Sequence, residues 1–460
     1  MRYACPVSSP AGRFGGVKPL SPALALLLVA LNLGLIFVLF ALPLGTRTVR
    51  AARLVSTRRD RVWSAVFPFG ENAGWSGQRL DVQALDDPGL ARIRLGWEGR
   101  DGAPIEHVVR LEDVVQGQHF SMRVIDDSSL HPTFWKDYIE SVDLTGEDSS
   151  VRVTLSRTDR YRGAAFFVFR YFALRRELGK LKRWAETGEY NAGGLFEHPA
   201  TQIGFAALSV LIMWPVFGLT FGGFLLASVL TAVVALHELG HMAAFRVMGH
   251  RKVRMIFLPL LGGIAIGGRP YDSRFEVAFV ALMGAGFSAF LVPLAIAACI
   301  YALGEGWSLA ATILAMLAGI AALFNIANLV PVWKFDGGQV LRQICPGPVS
   351  LALSSFVLLL ALLGIGRSAG LPDSLLVISG VVFAILSLIT AGTGIKPRHE
   401  LKPLGGAERG ALACALVAVF VIHASGVLWA SARIANWQQF ERQHRQPAGQ
   451  IAGVSASTTF

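Results

Sequence analysis

The chain has 460 residues, 53% of them hydrophobic, and a mean hydropathy of +0.51, too apolar for an ordinary soluble protein and the mark of a multi-pass membrane protein. Its net charge of +11 comes without a recognition motif, which argues against nucleic acid and for basic loops facing the cytoplasm and anionic lipid heads. The four cysteines, Cys5, Cys299, Cys345 and Cys414, lack CxxC spacing, so a disulfide frame and a zinc knuckle are both excluded.

Residues 1–45 read as an N-terminal segment and a first span, with an apolar run at 21–45 long enough to cross a bilayer and too long for the h-region of a cleavable signal. Residues 46–200 are charged, mixed and water-compatible. There, alternation predicts strands at Ile93, Leu95 and Trp97, at Ile105 to Val115, at Phe120 to Ile125, and at Val151, Val153 and Leu155 after a turn at Gly146-Glu147-Asp148. A short helix near Arg59 to Trp63 precedes them. A longer helix over 166–186 follows, with Leu174, Leu178, Leu181 and Ala185 on one face. Helix, antiparallel sheet and long C-terminal helix resemble the START-like helix-grip fold (SRPBCC superfamily). The resemblance implies a cavity for an apolar ligand; the other reading is a packed domain that docks partners or the membrane core.

Apolar runs recur at about 201–219, 222–245, 276–302, 308–330, 349–366, 373–393 and 409–431, giving about eight spans with the first. The stretch 201–245 is either one long kinked segment or two antiparallel spans joined at Gly218 to Gly223. Orientation follows lysine and arginine. Arg246, Arg251, Lys252 and Arg254 follow the third span, Lys396, Arg398, Lys402 and Arg409 follow the seventh, and the turn Gly304-Glu305-Gly306 has no basic residue. The basic side is cytoplasmic and carries residues 46–200, which puts the N-terminus outside. The tail 432–460 is small and polar at its end and reads as disordered.

The third span breaks its own rule. From Phe205 to Leu236 no residue is charged, and then come His237, Glu238 and His241, groups that hydrocarbon penalises unless something compensates them. His241 lies 19 residues past Gly222, about 28 Å along the axis, so the cluster sits near the cytoplasmic end. At i and i+4 the two imidazoles share one face and can share one metal ion, and Glu238 can hold a water beside it. Asp336 lies at the end of the fifth span, which runs parallel to the third, and so reaches the same leaflet. A turn aspartate before Gly337-Gly338 is the plain alternative. Two histidines and one carboxylate leave the fourth zinc position open, as in catalytic sites. The glycines of PLLGGIAIGG (259–268) form either a loop or a re-entrant edge strand that pairs with an unwound substrate.

His237-Glu238-Leu239-Gly240-His241, followed by Asn328-Leu329-Val330-Pro331 and Asp336-Gly337-Gly338, resembles the site-2 protease family of intramembrane zinc metalloproteases (peptidase family M50). The resemblance covers about residues 200–345 and makes 201–345 an expected metalloprotease core, with 346–431 as additional spans. It implies that His237, His241 and Asp336 bind zinc, that Glu238 activates water, and that Asn328 lies near the substrate backbone or developing oxyanion. It further implies an endopeptidase acting on transmembrane or membrane-proximal segments of membrane proteins, here expected in a bacterial inner membrane. Trp333 stands in place of the family's second proline, Phe335 in place of a leucine, and GAGFS (284–288) where a G-P-x-x-N pattern is common. The rival readings are a catalytically inactive membrane scaffold and a lipid-binding or transport protein acting through the soluble domain.

Overall fold

The structure is a computed structural model and describes residues 31, 34, 37–39 and 41–444, apart from 148, 191–197, 259–261, 333–334 and 391–396. The water-compatible part contains β1 (Pro43–Val55), α1 (Arg59–Val66), β2 (Arg79–Ala84), β3 (Leu90–Glu98), β4 (Pro104–Val115), β5 (His119–Asp127), β6 (Ile139–Glu147), β7 (Ser150–Arg162) and α2 (Ala164–Thr187). The strands form one antiparallel sheet in the order β1-β7-β6-β5-β4-β3-β2. The expected element order holds, with β1, β2 and β6 added to the strands read from alternation. β1 begins at Pro43, inside the apolar run that was expected to end at 45.

The four expected residues of α2, Leu174, Leu178, Leu181 and Ala185, are its buried ones and pack onto Val55, Phe120, Val153 and Leu155. Each leucine so buried contributes about 1.5–3 kcal/mol. Trp63 of α1 meets Phe120 edge-on in the same core. One charged network crosses between sheet and helix: Arg157 reaches Glu140 at 3.1 Å and Glu177 at 2.8 Å. Burial raises both carboxyls. The Arg157 guanidinium overcomes this at Glu140 and holds it below the usual range, whereas at Glu177 burial prevails.

Among the described residues, six helices are long and apolar enough to cross a membrane. They are α3 (Pro199–Val216), α4 (Phe221–Val247), α5 (Arg274–Gly304), α6 (Ser308–Asn328), α8 (Pro348–Ser368) and the Gly406–Asn436 part of α10 (Gly406–His444). Of the about eight spans expected, the first falls largely outside the described residues. The seventh corresponds to α9 (Asp373–Thr390), whose apolar stretch is the shorter Asp373–Ser387. Residues 201–245 form two helices, separated at Phe217 to Thr220, and the Thr220 hydroxyl caps α4 by accepting the Gly223 N–H at 3.1 Å. The last helix continues past 432 to His444; residues 445–460 lie outside the described residues. Asp336 does not end the fifth span. It heads a separate short helix, α7 (Asp336–Ile344). Within the stretch read as loop or strand, residues 259–261 lie outside the described ones, and Gly262–Ile266 is a strand, β9, paired antiparallel with β8 (Arg254–Leu258).

Residues 397–402 tie the two parts together. Leu130 bridges Pro397, the Arg398 N–H donates to the Ser129 carbonyl at 3.0 Å, and the Arg398 side chain pairs with Asp126. At the other end Lys402 pairs with Asp272 at 2.7 Å, and its carbonyl accepts the Arg274 N–H at the start of α5. Beside this dock lies Asp127, which accepts from the Trp135 indole at 2.9 Å and the Ser129 N–H at 2.6 Å. Burial pushes its carboxyl up, but the His107 imidazole and the Ser129 and Leu130 amides outweigh burial and hold it below the ordinary value. A depressed native pKa contributes stability above the unfolded value of about 3.9 that is lost as pH falls through the native one. Hydrogen exchange at residues 127–130 is therefore expected to be pH-corrected and flat from neutrality to about pH 5, then to accelerate below about pH 4. Asp127→Asn should remove that acid step.

Candidate metal centre

The end of α4 that carries the HExxH segment lies among α5, α6 and the β8–β9 hairpin, and three ligand atoms converge there. His237 Nε2 lies 3.1 Å from Asp336 Oδ2, His241 Nε2 lies 3.5 Å from the same oxygen, and the two Nε2 atoms are 3.1 Å apart. His237 and Asp336 are buried and His241 is nearly so. The far nitrogens fix the tautomers. His237 Nδ1 donates to the Asn325 side-chain oxygen at 2.7 Å, whose amide is oriented by donating to the Ala321 carbonyl. His241 Nδ1 donates to the Val280 carbonyl at 2.7 Å.

With both Nδ1 protons committed, two imidazole lone pairs and a carboxylate oxygen face one another. Asp336 Oδ2 is buried and receives no hydrogen bond. Three acceptors held in contact away from water repel one another unless a proton or a metal ion lies between them. Ligands about 2.0–2.1 Å from a tetrahedral zinc stand about 3.3–3.4 Å apart, and the observed 3.1–3.5 Å separations bracket that edge. The residues fit such an ion: His237, His241 and Asp336 would hold it.

Glycines make the convergence possible. A Cβ on Gly284 of α5 would lie 2.5 Å from His241 Nε2 and 2.6 Å from His237 Cε1, so the α5 backbone forms the wall against which both rings rest. A Cβ on Gly337 would collide with the Leu329 backbone, so α7 can turn Asp336 inward only with glycine there. A Cβ on Gly263 would collide with the Glu238 side chain. Glu238 itself is buried, and its Oε2 accepts the Ala265 N–H of β9 at 3.0 Å. The base candidate thus sits under the hairpin edge.

Asn328 donates its amide to the Phe324 carbonyl within its own helix, at 3.0 Å. The asparagine that reaches the histidines is Asn325, one turn earlier. Its signal was available, since a polar amide in an otherwise apolar helix needs a partner. The Val280 carbonyl and Gly284 left no signal of that kind. Glu276, in the first turn of α5, is fully buried: His250 at 2.6 Å, Arg269 at 2.9 Å and the Asp272 N–H at 2.6 Å satisfy it. His423 of α10 is buried against the Ala285 carbonyl at 2.9 Å.

Asn325→Leu removes the acceptor that orients His237 while keeping side-chain volume. Outer-shell losses of this kind cost about 10–100-fold in metal affinity, and that is the expected loss in a competition titration with a chromophoric chelator.

No family model matches the chain, and no curated protein matches it in sequence. Among solved structures it is similar to DynU16, a protein of the dynemicin biosynthetic locus (18% identity, TM-score 0.25, 32% of this chain and 50% of that one), so that it spans half of DynU16's length. It is also similar to DR_A0006 from Deinococcus radiodurans (17% identity, TM-score 0.23, 31% of this chain and 100% of that one). A START superfamily protein from Mycobacterium smegmatis gives 10% identity and a TM-score of 0.25, over 31% of this chain and 99% of that one. Scores at this level bear on neither fold nor activity. The outline of a helix gripped by a sheet stands on the chain's own strands and helix.

Proposed function

We propose that the protein is an intramembrane zinc metalloendopeptidase of the site-2 protease kind, cleaving transmembrane or membrane-proximal segments of membrane proteins. The single observation that carries the reading is the meeting of two imidazole nitrogens and one carboxylate from distant helices, with a second carboxylate, Glu238, beside them. Zinc, when bound, polarises a carbonyl oxygen and acidifies water. His237 and His241, locked as Nδ1–H tautomers by Asn325 and Val280, present lone pairs to it, and Asp336 offsets its charge. Glu238 takes the proton of the attacking water on its carboxylate and passes it to the leaving amide nitrogen.

Peptide bonds in a helix are shielded, so the substrate must be extended first. We assign that task to β9, which lies beside Glu238 and can accept an extended segment by strand pairing. Asn328 is assigned to the substrate backbone. We take the basic loops to face the cytoplasm, with the site and the soluble domain on that side of a bacterial inner membrane. The soluble domain is taken to dock and position, because its core is filled by Trp63, Phe120, Leu174 and Leu178 where an apolar ligand would otherwise lie.

The test is cleavage of model transmembrane substrates by the zinc-loaded full chain in proteoliposomes. Wild type should cut, and Glu238→Gln should retain zinc but lose about 10²–10⁴-fold in rate. Undiminished cutting by Glu238→Gln would overturn the assignment. A cellular phenotype indifferent to Glu238→Gln would favour the inactive scaffold, and one lost on excising 46–200 but kept by His237→Ala would favour the lipid-binding protein.

A further inference from the structure

One end of the soluble sheet gathers the start of β1, the ends of β3 and β5, the starts of β4 and β6, and the end of β7. Pro43 pairs with Arg162, His107 with Asp127, and Ile139 with Thr158. Two independent features place this end toward the bilayer. The chain reaches β1 from the apolar run 21–45, and the Gly163 N–H donates to the Leu42 carbonyl at 2.8 Å, holding the start of α2 against the point where that run ends. At the same end Ser129 and Leu130 dock onto residues 397 and 398, and Arg100 donates to the His399 carbonyl at 3.0 Å. Those residues lie in the connection between two apolar helices, α9 and α10.

The helix that starts there has an outer face unlike that of a soluble domain. Opposite the buried Leu174, Leu178 and Leu181, its first turns present Phe166, Phe169 and Phe172, which are 56%, 70% and 61% exposed. Leaving Phe169 and Phe172 in water forgoes a large apolar burial. From Phe166 to Phe172 the rise is about 9 Å, comparable to the depth at which interfacial helices bury their apolar face, about 5–10 Å. Past them the helix carries Arg175, Arg176, Lys180 and Arg183, the order of aromatic then basic residues found where a chain passes from acyl chains to phosphates. On the same end of the sheet Trp97 is 59% exposed.

We propose that the soluble domain dips the first turns of α2 into the headgroup region of the membrane that its own spans cross, with a lipid surface bearing anionic headgroups as its partner. Phe166, Phe169 and Phe172 enter the acyl boundary, and Arg175 and Arg176 meet the phosphates. The domain is then held at two places, by lipid at α2 and by protein at 397–402, which fixes it relative to the start of α5. This does not depend on proteolysis.

The test uses the full chain with its four cysteines replaced by alanine, carrying one spin label at Phe166→Cys, Phe169→Cys or Phe172→Cys. The chain is reconstituted in nanodiscs of phosphatidylcholine with a minority of phosphatidylglycerol. These positions face away from the domain core, so labelling leaves Leu174, Leu178 and Leu181 packed. A label at Asp87→Cys, in the β2–β3 turn at the far end of the sheet, is the reference. The ratio of oxygen to nickel-chelate collisions at the three phenylalanine positions should be several times that at position 87, because apolar oxygen partitions into the acyl boundary and the polar chelate does not. A ratio equal to that at position 87 would place the helix in water and overturn the proposal. Protection from both reagents would equally overturn it, by showing protein, such as a second copy of the chain, on that face.

Discussion

Asp336→Asn is expected to abolish stoichiometric zinc binding while leaving the helices assembled. The carboxylate contributes the only negative charge among the three converging atoms, and its Oδ2 receives no hydrogen bond from the protein. Its place in the fold is set elsewhere: Gly337 lies against the Leu329 backbone, and Val340 and Leu341 of α7 join the core formed by Ala281, Ala285 and Leu412. The amide has the same shape, so α7 should stay docked. What changes is the charge facing a divalent ion in a site of low dielectric. The loss in affinity should exceed the roughly 10–100-fold that outer-shell substitutions cost, and so exceed that of Asn325→Leu. Competition titration of the purified protein reads the affinity, and circular dichroism reads the retained helix content. A turn aspartate with no metal role would leave the titration unchanged.

Gly284→Ala should be nearly as damaging for a different reason. In the interior of a helix, alanine for glycine is worth about 0.5–1 kcal/mol of added stability, so α5 itself should gain. The new methyl would stand 2.5 Å from His241 Nε2 and 2.6 Å from His237 Cε1, closer than carbon and nitrogen can approach. The rings must rotate away, breaking the bonds to Val280 or Asn325 that aim them. We expect a chain that is no less thermostable without metal, yet binds zinc about 100-fold more weakly and loses the stabilisation that bound metal confers on wild type. Gly286→Ala is the control: its Cβ would meet only the Met283 sulfur, at 3.2 Å, the movable part of a flexible side chain. That variant should bind zinc like wild type. Equal binding by all three chains would mean that the rings are not where metal is held.

The legible parts of the site were those written as spacing. His237 and His241 at i and i+4, and an aspartate on the same side of the membrane, follow from helical geometry and the parity of crossings. Asn328 and Asn325 show the limit: both lie on α6, one turn apart, and only the packing of α4 against α6 decides which amide meets a histidine. Carbonyls such as that of Val280 have no sequence signature, and Gly284 reads as an ordinary small residue of a membrane helix. In the soluble domain α2 was legible because its four core residues recur at helical spacing. β1 was not, since an edge strand buries only Val49, Ala51 and Val55 along 13 residues and carries arginines between them.

The most direct measurement is X-ray absorption at the zinc edge on the purified, metal-loaded full chain, together with its metal content. One zinc per chain is expected, with only nitrogen and oxygen neighbours at about 2.0–2.2 Å and the outer scattering of two imidazoles. In His241→Ala the metal content should fall, and any zinc that remains should show the outer scattering of one ring at most. Sulfur neighbours at about 2.3 Å, a spectrum unaffected by His241→Ala, or a chain that holds no stoichiometric metal would each contradict a zinc site made of His237, His241 and Asp336.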